Sequence, residues 1–277
     1  MPNRQLKIGL VGCIVLVVAA VVGPWLAGYG PTDFDLAQAL RAPSANHLMG
    51  LDEDGRDLLT LVLYGARVSL FIGLTTITIT AVLGTVIGAV AGYFGGRLDE
   101  LFIFVSDVLL AFPSILLVIA LAAFQTETSV LQVIIILCVV GWVSFARLVR
   151  GQVLALRERD YIHAAQLGGA RFPRILGRHL LPNLAGPLLV QATFGLAGVI
   201  IAESTLSFLG LGVPPSVPSW GRLLDQGVQY LLVAPHLSIF PGIAIMVTII
   251  ILHFVGDGLR DKLDKRSELK SFTYEAR

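Results

Sequence analysis

Charged residues are scarce in this chain of 277 residues. Asp, Glu, Lys and Arg together make up 14% of the sequence, whereas hydrophobic residues make up 55%. Soluble domains carry roughly 25% charged residues, so the shortage excludes an ordinary soluble enzyme and a disordered chain. A net charge of +1 also argues against a basic nucleic-acid-binding face. A polytopic membrane protein is the class that remains.

Cysteine is rare as well. Cys13 and Cys138 both lie inside apolar runs, which indicates small buried side chains and neither a disulfide nor a metal pair. The phosphate-binding pattern Gly-x-x-x-x-Gly-Lys-Ser/Thr does not occur. We therefore expect no cofactor, no metal and no ATP bound by the chain itself. The histidines show no metal-site spacing either; they are His47, His163, His179, His236 and His253.

Six apolar segments are long enough to cross a bilayer, whose core of about 30 Å needs about 20 residues of helix. Their runs do not alternate as β-strands would, so we predict an all-α protein with six transmembrane helices. The first run is too long for a signal peptide and lacks a clear cleavage site, which favours an uncleaved anchor. The segments are Ile8–Ala27, Val68–Phe94, Leu101–Phe124, Val130–Ala146, Leu184–Phe208 and His236–Gly256.

The distribution of Lys and Arg predicts the orientation of these spans. Alternate connecting segments carry 16 basic residues on one side and 4 on the other. The positive-inside rule places the richer side in the cytoplasm, so both termini are expected there. That side comprises residues 1–7, 95–100, 147–183 and 257–277.

Two segments are expected on the outer side. Residues 28–67 carry six acids against three arginines, and residues 209–235 open with a run rich in proline and glycine that ends at Trp220-Gly221. Three prolines within that run forbid a continuous helix. We expect a stiff loop at the membrane surface, which is either a docking surface or a connector.

The cytoplasmic segment 147–183 contains seven arginines. Residues 161–167 predict a helix with one apolar face, Gly168-Gly169 a break, and Phe172-Pro173 the start of a second helix that Pro182 ends. Three arginines recur along this second helix at i, i+3 and i+7. Composition alone leaves two interpretations open, a solvated loop and a docking surface.

A family pattern runs through the same segment. His163-Ala164-Ala165, three residues, Gly169, nine residues and His179-x-Leu181-Pro182 resemble the EAA loop of ABC-importer permeases. The family pattern begins with Glu-Ala-Ala and ends with Ile-x-Leu-Pro, so Glu stands at the position of His163 and Ile at the position of His179. Histidine replaces both residues here, so we do not expect a salt bridge from a carboxylate at position 163.

Further motifs resemble the dipeptide, oligopeptide and nickel branch of these permeases, and most closely its second, C-type subunit. The resemblance covers residues 46–264. It rests on Gly50–Asp57, Tyr64–Leu70, Ala91–Gly96 with Asp99, Arg178–Asn183, Glu203–Gly212, Pro218–Gly221 and Gly256–Asp261.

The resemblance implies a type I ABC-importer fold with cytoplasmic coupling helices, in which residues 67–257 form the permease domain. Residues 1–66 would supply the N-terminal tail, first helix and acidic outer segment, and residues 258–277 a cytoplasmic tail. The partners implied are a homologous permease, two ATPase subunits that bind ATP and Mg²⁺, and an extracytoplasmic binding protein, all at a bacterial inner membrane. Residues implied in ATPase coupling are His163, Ala164, Ala165, Gly169, Arg171, Arg174, Arg178, Leu181 and Pro182.

The implied cargo is a di- or oligopeptide, with nickel and glutathione-like molecules as alternatives. An ion-coupled secondary transporter is a weaker alternative, because it would need internal repeats and several buried charges. An intramembrane enzyme would need a constellation of catalytic side chains in one cavity, which we do not find in the sequence. The third alternative is a membrane scaffold that transports nothing.

Within the spans, Gly84, Gly88 and Gly92 form a stripe at i, i+4 and i+8 that predicts close helix packing. Asp107 is either functional or paired with a nearby arginine. Glu203 either lines an outer gate or caps the proline-rich loop, and Trp220 is a further pathway or structural candidate. Pro113 predicts a kink in the third span.

Overall fold

The structure is a computed structural model that describes residues 4–125 and 128–275. Across these ranges the regular secondary structure is helical, with one isolated bridge between Leu51 and Asp57 as its only β pairing. Five helices are long and apolar enough to span a membrane, or six if a sharply bent pair counts as one span. The prediction of an all-α polytopic membrane protein is therefore confirmed.

In chain order the helices are α1 (Arg4–Leu26), α2 (Leu58–Phe94), α3 (Gly96–Leu110), α4 (Ser114–Ala123), α5 (Val130–Arg157), α6 (Asp160–Leu167), α7 (Phe172–Ile175), α8 (Leu181–Phe208), α9 (Trp220–Gln229) and α10 (His236–Glu275). A π turn, Leu176–Leu180, joins α7 to α8. Residues 1–3 of the predicted N-terminal tail and 276–277 of the C-terminal tail lie outside the described residues.

The third predicted span consists of two helices that meet at a sharp bend. Helices α3 and α4 meet at 80°, because Pro113 lacks a backbone donor and disfavours helical geometry at Phe112. The kink predicted at Pro113 is therefore a full break in the span.

Three other helices extend past their predicted ends. Helix α2 begins at Leu58, where the Asp57 carboxylate caps it by accepting a hydrogen bond of 2.9 Å from the Thr60 backbone. Helix α5 continues to Arg157, and α10 continues through most of the predicted tail. Polar residues mark the end of an apolar run, but a helix can continue through them beyond the membrane.

The bundle has two distinct ends. Helices α6 and α7 lie at the first, which we call the elbow end. Leu6 of α1 packs against Gly258 there, and Leu263 of α10 against Gly186. Residues 28–57 and α9 lie at the opposite end, which we call the cap end. Helix α2 runs between the two and packs most extensively against α5, and also against α8 and α1.

Candidate functional site

The elbow, residues 160–182, has a defined turn at its corner. Helix α6 ends with hydrogen bonds from Ala170 N to Ala165 O (3.0 Å) and from Gly169 N to Gln166 O (2.9 Å). Gly169 sits between them with φ +78°. This is the Schellman arrangement, in which a left-handed glycine reverses the chain. The corner between the two short helices is thus a fixed bend of the backbone.

Pro182 does not end a helix, contrary to the prediction. It lies at the start of α8, and the helical path continues from Phe172 through Phe208. Proline removes one backbone donor and crowds the preceding turn. The π turn just before it widens the backbone, and the Asn183 side chain donates 2.6 Å to the His179 carbonyl. These two features accommodate the proline without a break.

The elbow is attached to the bundle through a buried apolar face. Ile162, Ile175 and Leu180 are fully buried and belong to one cluster with Val149 and Val153 of α5. Burying each such side chain is worth about 1.5–3 kcal/mol. The elbow is therefore held against α5 and cannot swing as a free loop.

A second set of contacts attaches the elbow to the end of α2. The Phe172 ring lies 4.9 Å from that of Tyr93 and 5.0 Å from that of Phe94. Gln166 Nε2 donates 3.0 Å to the Tyr93 hydroxyl, and an Arg157 guanidinium nitrogen donates 2.9 Å to the Gly92 carbonyl. Both α2 and α5 are thus mechanically joined to the elbow.

The opposite face of the elbow is exposed and cationic. Arg171, Arg174 and Arg178 are exposed, and their guanidinium groups form no hydrogen bond or ion pair with the described residues. Leu167 is 91% exposed. Sequence reasoning missed this leucine, although its place next to the glycine break at the end of an amphipathic helix was a usable signal. The other residues predicted for coupling, His163, Ala164, Leu181 and Pro182, are exposed too, and Ala165 is half-buried.

Two ion pairs join α3 to α5 near the elbow end. Asp99 pairs with Arg150 through two hydrogen bonds, and Asp107 pairs with Arg147. Asp107 is thus next to an arginine, as the pairing interpretation requires. Side chains of the Asp107 pair are 62% and 45% exposed, so this pair lies on the outside of the helix bundle.

The glycine stripe of α2 lies directly against α5. A methyl group on Gly84 would lie 2.6 Å from the Trp142 carbonyl oxygen, and one on Gly92 would lie 2.9 Å from that of Arg150. At Gly88 it would collide with the Ala146 backbone. All three glycines face α5, so the two helix backbones touch along the half of α2 that leads to the elbow.

Glu203 is a buried junction near the cap end. Its carboxylate accepts hydrogen bonds from Ser207 (2.9 Å) and from Ser69 of α2 (3.2 Å). The same serines accept bonds from the Val213 and Trp220 backbones, each at 3.3 Å. Glu203 thus ties α8 and α2 to the proline-rich loop, which is the cap interpretation. Glu203 is 0% exposed.

Trp220 is buried beside it. The indole N–H donates 3.0 Å to the Val62 carbonyl of α2, and the ring edge lies against Gly65. Trp220 therefore fixes the start of α9 against α2, which is a structural role.

The acidic segment at the cap end uses part of its charge internally. Asp52 is buried and binds Arg56, and burial raises the pKa of its carboxyl against the opposing effect of the Arg56 hydrogen bonds. Asp57 caps α2 and contacts His47. A hydrogen bond with Glu53 raises the pKa of the Tyr230 hydroxyl. Asp54 pairs with Arg56 as well. Asp33 and Asp35 are exposed and form no ion pair within the described residues, although each accepts a local hydrogen bond.

A cleft of about 420 Å³ opens between α2, α3, α4, α5 and α8. Its wall is mostly apolar, and none of the described residues that line it is charged. Sequence reasoning did not identify this cleft, because no single helix contains it. Its hydrogen-bonding side chains are Thr80, Ser114, Ser144, Gln191 and Thr205.

Comparisons with known proteins agree on one family. Residues 84–268 match the family model described as binding-protein-dependent transport system inner membrane component. A putative peptide transport system permease protein of Brucella abortus is 45% identical over 270 residues, which cover 98% of this chain and 90% of the relative. The oligopeptide transport system permease protein OppC of Bacillus subtilis is 36% identical, with coverage of 95% and 86%. The glutathione transport system permease protein GsiD of Shigella dysenteriae is 40% identical, with coverage of 91% and 84%.

The fold also matches a solved structure. A chain of the MetNI methionine ABC transporter, in an inward-facing conformation, superposes with a TM-score of 0.58 at 20% identity. The match covers 73% of this chain and 95% of that chain. The expected fold of an ABC-importer permease is thereby confirmed.

Proposed function

Because this chain belongs to the family of binding-protein-dependent transport system inner membrane components, we propose that it is a permease subunit of an ATP-driven peptide importer. The names of its relatives include peptide, oligopeptide and glutathione transport. Glutathione is itself a tripeptide, so a short peptide is the cargo class that these names share.

The elbow carries this proposal. It combines an apolar face buried against α5 with an exposed face of three arginines and Leu167. An exposed leucine beside unpaired cations is the pattern of a surface that docks a partner. In this assignment the partner is an ATPase subunit, which binds ATP and Mg²⁺, and the permease does no chemistry.

The sidedness follows from charge. The basic segments predicted to be cytoplasmic adjoin the elbow end, where α1 begins and α10 leaves the bundle. The positive-inside rule supports an elbow in the cytoplasm together with both termini. The cap end then faces outward, where Asp33 and Asp35 are available to an extracytoplasmic binding protein.

Force would pass from the elbow into the spans as a rigid-body movement. Apolar burial joins the elbow to α5, the Tyr93 and Phe172 contacts join it to α2, and the glycine stripe joins α2 to α5. When two ATPases close, these helices would tilt together and switch the path between inward-open and outward-open states. One such chain offers half of a central path, so a homologous permease would complete it.

Ion-coupled transport is less well supported. Such transporters place charged side chains at mid-membrane to bind the coupling ion. Here Asp107 is paired with Arg147, and the Glu203 carboxylate accepts hydrogen bonds from serine hydroxyls.

Charge reversal on the elbow tests the proposal. The triple variant Arg171→Glu, Arg174→Glu, Arg178→Glu should insert into the membrane but lose co-purification of the ATPase subunits and ATP-dependent peptide uptake. Arg97→Glu is the matched control, because Arg97 is an exposed arginine at the same end outside the elbow. Normal ATPase capture by the triple variant would contradict the proposal.

A further inference from the structure

We propose that the cleft between α2, α3, α4, α5 and α8 is a water-filled wall of the transport path that binds the peptide backbone and is indifferent to side-chain charge. This inference rests on the proposed function for its cargo, but not for its claim that the cleft is aqueous and neutral.

The first argument is the stripe that α8 presents to the cleft. Gln191, Gly195, Gly198 and Thr205 line it at spacings of four, three and seven residues, which keeps them on one helix face. At 1.5 Å per residue the stripe is about 21 Å long. It therefore runs along most of a hydrocarbon core of about 30 Å.

The second argument is hydrogen bonding. The side chains of Gln191, Ser114 and Ser144 have no hydrogen-bond partner in the described part of the chain. An unpaired amide in hydrocarbon costs several kcal/mol, so a lipid-facing position for Gln191 is unfavourable. Water or a polar cargo would satisfy these groups.

Thr205 adds a further hydrogen-bonding group to the wall. Its hydroxyl donates to the Ile201 carbonyl of its own helix at 2.8 Å. The oxygen lone pairs of this hydroxyl stay available, so Thr205 can accept from a peptide N–H. Gln191 can both donate and accept. The wall thus matches the alternating donors and acceptors of a peptide backbone.

The third argument is space and neutrality. A methyl group on Gly198 would meet nothing within 4 Å, and a volume of about 420 Å³ is in the range of small-ligand sites. The Asp107–Arg147 ion pair lies one helical turn from Leu110 and Ser144 of the wall, and its charges offset each other. A neutral wall neither attracts nor repels a charged peptide side chain.

Two other occupants would keep water out of the cleft, namely lipid tails and a tightly packed helix of the partner permease.

Labelling of an introduced thiol distinguishes a water-filled cleft from a cleft filled by either of these occupants. In a background of Cys13→Ala and Cys138→Ala, we would introduce Gly198→Cys and assemble the complete importer in liposomes. Two water-soluble methanethiosulfonate reagents of opposite charge would be applied without nucleotide and during ATP turnover. Val15→Cys is the control, because Val15 is exposed on the peripheral helix α1.

Gly198→Cys should react in at least one of the two states with both reagents at similar rates, and Val15→Cys should not react. Adding Ser144→Asp would place a negative charge on the same wall, so the cationic reagent should then react faster than the anionic one. No labelling in either state, or a large difference between the two rates without the added charge, would overturn the proposal. The outcome does not depend on the identity of the cargo.

Uptake then tests backbone binding. Gln191→Leu should lower uptake of Ala-Ala-Ala, Ala-Lys-Ala and Ala-Glu-Ala by the same factor, roughly fivefold, and Gln191→Asn should restore part of it. For each peptide, uptake by the variant is divided by uptake by the wild type, so any preference of the binding protein among the three peptides cancels. Unequal ratios, or unchanged uptake, would refute backbone binding, whereas a wild-type importer that moves none of the three would refute the proposed function instead.

Discussion

Gly169 provides the sharpest prediction, because its substitution strains the elbow and nothing else. The residue has φ +78°, and a methyl group built on it would meet nothing within 4 Å. A larger side chain therefore causes no collision. Its effect is confined to the left-handed backbone that closes α6.

The left-handed conformation costs a residue with a Cβ atom about 1–2 kcal/mol. That cost lowers the population of the native elbow by a factor of roughly 5–30. Asparagine tolerates this conformation better than alanine, and β-branched valine tolerates it least. Coupled uptake should therefore decrease in the order Gly, Asn, Ala, Val, while membrane insertion stays intact.

The assay is the number of ATP molecules hydrolysed per peptide transported by the complete importer in liposomes. Gly177→Ala is the matched control, because Gly177 is an exposed glycine of the elbow without positive φ and with open space around it. We expect Gly169→Val to uncouple hydrolysis from uptake and Gly177→Ala to behave as wild type. Undiminished uptake by Gly169→Val, or equal losses in both variants, would refute the reasoning.

Three further predictions concern the spans. Gly88→Leu should destabilise the purified chain by about 1–3 kcal/mol, because its side chain would displace the α5 backbone, whereas Gly151→Leu on the open face of α5 should leave thermal unfolding unchanged; equal melting temperatures would contradict the packing. Glu203→Leu should lower the free energy of unfolding by about 1–3 kcal/mol, because two buried serine hydroxyls lose their acceptor. Glu203→Gln should recover most of this stability; a Gln variant less stable than the Leu variant would contradict the prediction. Asp107→Asn should leave uptake within about twofold of wild type, because its carboxylate pairs with Arg147 and is not among the residues that line the cleft; abolished uptake would instead give Asp107 a functional role.

The sequence predicted the elbow well because its determinants are local. An amphipathic stretch before a glycine pair, and a proline in the next first turn, specify helix, bend and helix without reference to the rest of the chain. The prediction that Pro182 ends a helix was wrong because a π turn accommodates the proline. No residue pattern in the sequence predicts such a turn.

Long-range pairings were beyond the sequence. Arg147, the partner of Asp107, lies on another helix, and the break at Pro113 decides which face of α3 meets it. The serines around Glu203 come from α2 and α8, so its hydrogen bonds could be assigned only when the helices were placed. The cleft is the clearest case, since its wall combines residues from five helices, α2, α3, α4, α5 and α8.

The central claim is that the elbow contacts an ATPase subunit in the cytoplasm. Photocrosslinking in intact cells tests it most directly, with benzoylphenylalanine placed at Leu167, which is 91% exposed at the corner of the elbow. The account predicts a crosslink to an ATP-binding subunit that weakens when the three elbow arginines are reversed. A crosslink to an extracytoplasmic protein instead would contradict it.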